Sequence, residues 1–172
     1  MREFEIVEIV QRGLLVCSEH PCLGASTDGE VQIINDDGSV ADRGLFECKN
    51  LLQNKDMTLM EKAKSKKSGS FCLKFDGKKL TLKRNHKFFY QIQGQLNIFG
   101  YSWCDFVVRC CNPYQLHAER IFRDSELWET VMIPKLTDFY FKCLLPELAS
   151  PRYGKSPGIR EPGPDWVSSF TT

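Results

Sequence analysis

Between residues 86 and 99 the side chains Phe89, Ile92, Leu96 and Phe99 recur at intervals of three and four, and Gly100 follows. That period describes an amphipathic helix with one apolar stripe, and glycine readily ends such a helix. The stripe has to be buried against another layer, and candidate strands supply it on both sides in the sequence. Residues 4–10, 13–16, 31–34 and 44–49 precede the helix, with 13–16 read as the strand returning along 4–10. Asp37-Gly38 is a turn signal that makes a hairpin of the last two. Residues 71–75 and 79–83 flank Asp76-Gly77 as a smaller hairpin, and 103–108 and 118–122 are apolar strands. Two more helices are expected. One spans 56–67 with Asp56 as its cap, and one runs from an Asp124 cap to residue 148, kinked or broken at Pro134. Strands and helices alternate, so the fold class is α/β (α+β), a central sheet covered by helices.

Composition narrows the class. The chain has 172 residues, 42% of them hydrophobic, with 12 Phe and 3 Trp, which is enough for a packed core and excludes a mainly disordered chain. It contains no apolar run of the ~18 residues that span a membrane. Its charged start, Met1-Arg2-Glu3-Phe4-Glu5, is not a secretory signal. Residues 1–149 are expected to form one domain, and the Pro- and Gly-rich residues 150–172 a disordered tail. Eight cysteines include no Cys-x-x-Cys pair, and His20, His86 and His117 do not stand at zinc-ligand spacing from them. Reduced, buried thiols point to an intracellular protein of nucleus or cytoplasm, not a secreted one.

Three polar clusters fall on or beside these elements: Ser26-Thr27-Asp28-Gly29 before a strand, Glu47-Cys48-Lys49 within one, and Gln91, Gln93 and Gln95 on the helix. Strand alternation puts Leu45, Glu47 and Lys49 on one face, and Asp28 can approach Glu47 across the hairpin. Two close carboxylates repel unless a cation neutralises them, and hard oxygen ligands favour Mg²⁺ or Mn²⁺. Such a metal activates water and offsets phosphate charge, and Lys49 can assist either task. Alone, Asp28-Gly29 is a turn and Glu47-x-Lys49 a surface ion pair. Their order and spacing set them apart.

Residues 23–29 (Leu-Gly-Ala-Ser-Thr-Asp-Gly), 44–49 (Gly-Leu-Phe-Glu-Cys-Lys) and 90–96 (Tyr-Gln-Ile-Gln-Gly-Gln-Leu) resemble the YqaJ viral recombinase family. That family belongs with the phage lambda exonuclease-like nucleases of the PD-(D/E)xK superfamily. The likeness continues through 103–108, 117–121 and 139–148 and covers residues 13–148. It implies a metal-dependent DNA exonuclease with a restriction-endonuclease-like core, a central mixed β-sheet flanked by helices. By position, Asp28 and Glu47 match the metal-binding acids, Lys49 the catalytic lysine and Gln91 the active-site glutamine. Gln93 and Gln95 are read as facing other directions on the helix. Departures are Thr27 where the family has proline and Asn50-Leu51 where it often has Cys-Pro. An upstream helix with a further acid is also missing, so a truncated copy is expected. Ring-forming trimers in the phage family make a homo-oligomer a further expectation.

The net charge of +1 hides a partition. Residues 1–54 carry 4 basic and 10 acidic side chains, whereas residues 55–87 carry 11 and 3. Lys66, Lys67, Lys78, Lys79, Lys83, Arg84 and Lys87 lie between Glu47-x-Lys49 and Gln91, where they would grip DNA phosphates irrespective of sequence. Two other classes remain open: an inactive nuclease fold that binds DNA or protein, and a zinc-binding regulator built on the cysteines.

Overall fold

The computed structural model describes residues 6–51, 57–65, 69–111, 114–152 and 154–155. Lys66, Lys67, Asp56 and nearly all of the expected tail lie outside the described residues. In chain order the elements are β1 (Ile6–Val10), β2 (Leu15–Val16), β3 (Gly24–Ala25), β4 (Gly29–Ile34), β5 (Val40–Leu51), α1 (Leu59–Lys64), β6 (Leu73–Phe75), β7 (Leu80–Leu82), α2 (Lys87–Phe99), β8 (Trp103–Cys111) and β9 (Tyr114–Phe122). A helical run follows: α3 (Ser125–Leu127), α4 (Ile133–Phe139) and α5 (Leu145–Ala149), joined by π-helical turns at Trp128–Met132 and Tyr140–Leu144.

The central sheet is mixed and five-stranded, in the order β1-β4-β5-β8-β9. β5 and β8 are parallel, and every other neighbouring pair is antiparallel. Parallel neighbours need a long crossover, and α2 lies within it. His86 caps α2 by accepting the Phe88 N–H at Nδ1, and Gly100 closes it with φ +76°. Residues directly paired across strands share a face. Leu45, Cys104 and Ile121 form one such row, with Phe106, Val108 and Cys110 on the same face. They bury against Phe89, Ile92 and Leu96 of α2, Leu59 of α1 and the β6–β7 ribbon. The described helices do not cover the opposite face to the same degree, for Val7, Ile9 and Leu116 are each more than half exposed.

Three expectations change. Residues 13–16 do not return along β1, because only Leu15 and Val16 are extended and they pair with β3. β1 pairs instead with β4, which offers a five-residue ladder from Ile34 to Glu30. α1 begins at Leu59 and is capped by Thr58. Glu61 N–H donates to Thr58 Oγ1 at 3.1 Å and Thr58 N–H to Glu61 Oε2 at 2.7 Å, a reciprocal pair that satisfies two orphan donors. Of the kink or break expected at Pro134, the break does not occur, because the chain stays helical on both sides of it. Proline lacks the N–H of a regular turn, and the π-helical turn before it takes up the misfit, with Ile133 N–H donating to Trp128 O. Pro146 repeats the device after Tyr140–Leu144.

Gly44 shows how tightly the β5–β8 junction is packed. A Cβ there would lie 2.3 Å from the Trp103 ring, whose Nε1 donates to Asp42 and whose face carries the Arg120 guanidinium at 3.6 Å. Trp103 therefore cannot swing away without losing both contacts. Gly44→Ala is expected to destabilise the fold by about 1–3 kcal/mol of overpacking. Urea unfolding would measure this, and an unchanged midpoint would show that the ring yields freely.

Candidate active site

The β4–β5 register places Gly29 opposite Phe46, so Asp28 stands one step further, level with Glu47. Thr27 is buried, and its hydroxyl donates to Phe46 O at 2.8 Å, latching the turn onto β5. A proline could not make that bond. Asp28 is exposed, and its Oδ2 accepts the Cys48 N–H at 2.8 Å.

Glu47 is 2% exposed and is held from three sides. Oε1 accepts from Lys49 Nζ and from Gln91 Nε2 at 2.8 Å, and Oε2 accepts from Gln95 Nε2 at 2.7 Å. A buried carboxylate is tolerated when its lone pairs are met in this way. Lys49 lies over the Phe88 ring at 5.1 Å, and Lys87 approaches the same ring at 5.6 Å. Asp28 and Glu47 leave their imprint on nearby thiols. Burial raises the Cys48 pKa first and the charge of Asp28 next; burial also raises that of Cys104, with Glu47 the largest charge acting on it. Both side chains therefore stay protonated and are not nucleophiles at neutral pH.

Asp28, Glu47, Lys49 and Gln91 are thus brought to one place, with Lys87 at its edge. Gln95 joins them, contrary to the reading that it faces away. It stands four residues from Gln91 and so shares its helix face, a spacing that was available in the sequence. Its Nε2 also donates to Ser26 O at 2.7 Å, tying the turn before Asp28 to Glu47. Gln93 does face away: it donates to Phe122 O at 2.9 Å and accepts the Asp124 N–H at 2.7 Å, joining α2 to the start of the last helical run. Lys78 and Lys79 sit at the exposed β6–β7 turn, where Asp76 Oδ1 accepts both backbone N–H groups. Lys83 and Arg84 lead from β7 to α2, with Arg84 over the Phe89 ring at 5.1 Å.

A second buried acid, Glu30, went unread in the sequence. It is fully buried on β4 and accepts from Arg12 Nε at 2.8 Å, Gln32 Nε2 at 2.7 Å and the Tyr101 hydroxyl. Burial pushes its pKa up, but the bonds from Arg12, Tyr101 and Gln32 outweigh that and hold it at about 2. This knot ties the segment after β1, strand β4 and the end of α2 together, two residues from Asp28.

All eight cysteines are free thiols, and no group of three or more His, Cys, Asp or Glu side chains gathers around one point among the described residues. No described helix is long and apolar enough to cross a membrane.

No protein-family model and no curated protein matches the chain. Two solved structures do. An alkaline exonuclease, LHK-Exo, from Laribacter hongkongensis is 24% identical, with a TM-score of 0.51 over 87% of this chain and 61% of its own. The same enzyme in complex with dAMP is 22% identical, with a TM-score of 0.53 over 86% of this chain and 62% of its own. The chain spans about three fifths of the length of that exonuclease. At this identity the likeness is one of fold: a mixed sheet flanked by helices, shared with an alkaline exonuclease.

Proposed function

We propose that the chain carries a metal-dependent DNA exonuclease site of the YqaJ and lambda exonuclease type, hydrolysing phosphodiester bonds in DNA recombination, repair or the processing of viral or mobile DNA. The observation that carries this reading is the buried Glu47 carboxylate gripped by Lys49, Gln91 and Gln95 beside Asp28, on a fold shared with an alkaline exonuclease. A structural ion pair needs no second glutamine and no adjacent exposed acid.

Asp28, just before β4, and Glu47 on β5 offer hard oxygen ligands, and Asp28 Oδ1 makes no hydrogen bond among the described residues. That donor set fits Mg²⁺ or Mn²⁺, with water filling the remaining positions. When bound, the cation would acidify water at the site and offset charge on the phosphate. The protein's own groups do the rest. Gln91 and Gln95 fix the plane of the Glu47 carboxylate. Lys49 is 22% exposed, so its ammonium can donate to a water or a phosphate oxygen without leaving Glu47. Digestion of linear duplex DNA with Mg²⁺ by wild type, Glu47→Gln and Lys49→Ala tests the assignment, and equal products from all three would remove it.

In the same reading Lys78, Lys79, Lys83, Arg84 and Lys87 form the phosphate track. Lys87 connects the track to Lys49 through Phe88. Replacing Lys78, Lys79, Lys83 and Arg84 by alanine is expected to weaken binding to every duplex sequence. The dependence of log K on log salt should become shallower by up to about 3–4. Unchanged affinity at low salt would dismiss the track.

A second reading has its own support. Among the described residues two acids, Asp28 and Glu47, meet at the site and no third His, Cys, Asp or Glu joins them. An inactive nuclease fold would bind DNA in a salt-dependent way and leave it intact with Mn²⁺ present.

A further inference from the structure

Strand β9 is an outer edge of the central sheet, and among the described residues no strand pairs with its free side. It runs nine residues, Tyr114–Phe122, and pairs with β8 along its whole length without a bulge. Its sequence holds neither lysine nor proline, two of the devices by which proteins blunt an edge. Strand alternation divides its side chains. Tyr114, Leu116, Ala118, Arg120 and Phe122 stand on the open face of the sheet, and the apolar Tyr114, Leu116 and Phe122 are each more than half exposed. Gln115, His117, Glu119 and the buried Ile121 turn toward the α2 layer.

On that inner side the edge carries an unmet group. A cleft of about 580 Å³ opens against residues 117–120, with Met60, Lys79 and Leu80 as its far wall. His117 Nε2 is buried and makes no hydrogen bond among the described residues. Glu119 Oε2 lies 4.0 Å away and already accepts the Leu82 N–H at 2.6 Å.

We propose that β9 pairs with β9 of a second copy of this chain, antiparallel about a two-fold axis at Ala118. The edge is self-complementary in that register. Tyr114 faces Phe122 of the second copy, Leu116 faces Arg120, and on the inner side His117 faces Glu119. Aromatic pairs and hydrogen-bonded or opposite-charge pairs directly across a ladder are what stabilise a sheet. The neighbouring registers that keep both open faces on one side move the axis to His117 or to Glu119. The first sets imidazole against imidazole, the second sets carboxylate against carboxylate, and both lose the His117–Glu119 pair. Such an isologous contact closes at two copies, unlike a ring of three. It joins two five-stranded sheets into one, with both α2 layers on the same face. No residue of the Glu47 site takes part, so the proposal is independent of the nuclease reading.

The test is sedimentation equilibrium of the full chain over a range of concentrations, for wild type and for Ala118→Lys. Wild type should reach twice the 19.8 kDa of the chain. Ala118 is exposed, so Ala118→Lys should fold with an unchanged circular dichroism spectrum. Two ammonium groups meeting at the axis should weaken the dimer about tenfold or more. Register is read separately. With oxidised glutathione, Ala118→Cys should give a 118-to-118 disulfide between copies, identified by peptide mass spectrometry. Leu116→Cys should give no 116-to-116 link, because the two positions lie four residues apart along the ladder, about 13 Å. A monomer at every concentration overturns the proposal and leaves the edge to an extended segment of another protein. A trimer overturns it as well. So does a dimer that survives Ala118→Lys, or one that yields 116-to-116 and not 118-to-118 links.

Discussion

Glu47→Gln is expected to reduce DNA hydrolysis about a thousandfold or more while leaving the side-chain shape unchanged. Both Glu47 oxygens accept hydrogen bonds, from Lys49 and Gln91 on one and Gln95 on the other. An amide can present only one acceptor oxygen. Its NH₂ would therefore meet either the Gln95 amide protons or those of Lys49 and Gln91. The variant loses the negative charge that would bind a cation, and Lys49 loses its counter-charge. A stability loss of about 1–3 kcal/mol should accompany the loss of activity, from the mismatched buried donors. Single-turnover digestion at a temperature well below the variant's Tm separates the two effects. If the folded variant cuts at the wild-type rate, Glu47 is structural and the assignment of the active site to it falls.

Glu30→Ala should have the largest effect on stability. The substitution empties a fully buried position and removes the bonds to Arg12, Gln32 and Tyr101. Arg12 and Arg43 are more than two fifths exposed, so water can satisfy them once Glu30 is gone. The cost is therefore set below that of stranding a buried charge, at about 2–3 kcal/mol. Acid should act in the same direction. The carboxyl titrates at about 2 in the fold and near 4.5 when unfolded, so its contribution is complete above pH 4.5 and is lost as pH falls toward 2. Urea midpoints measured between pH 7 and 2.5 should fall for wild type and show a smaller change below 4.5 in Glu30→Ala. Parallel curves would remove Glu30 as the group responsible.

Much of the fold was readable because local chemistry acts over a few residues. The 86–99 period, the Gly100 stop and the Asp124 cap each follow from spacing within one or two turns, and all three stand in the structure. Short elements and isolated polar residues are less legible. The partner of the two-residue strand Leu15–Val16 is decided only by pairing with Gly24–Ala25, outside its own segment. Gln95 stands four residues from Gln91, and that spacing alone puts the two on one face. Glu30 carried no sequence signal, since an acid in a strand beside Asp28 looks solvated until its partners are known.

By itself the sequence determined the alternation of the longer strands and helices, the Asp124 cap, the Gly100 stop and the identity of the acid-x-lysine pair, all matters of spacing inside single elements. Tertiary structure alone decided which groups meet. Gln95 reaches Glu47 across 48 residues and Tyr101 reaches Glu30 across 71, because a parallel crossover lays α2 over β5 and returns its end beside β4. Strand register and helix packing set those meetings, and neither is encoded in the periodicity of any one segment. The same packing spreads the basic stretch, leaving Lys87 beside the Glu47 site and Lys78 and Lys79 out on the β6–β7 turn.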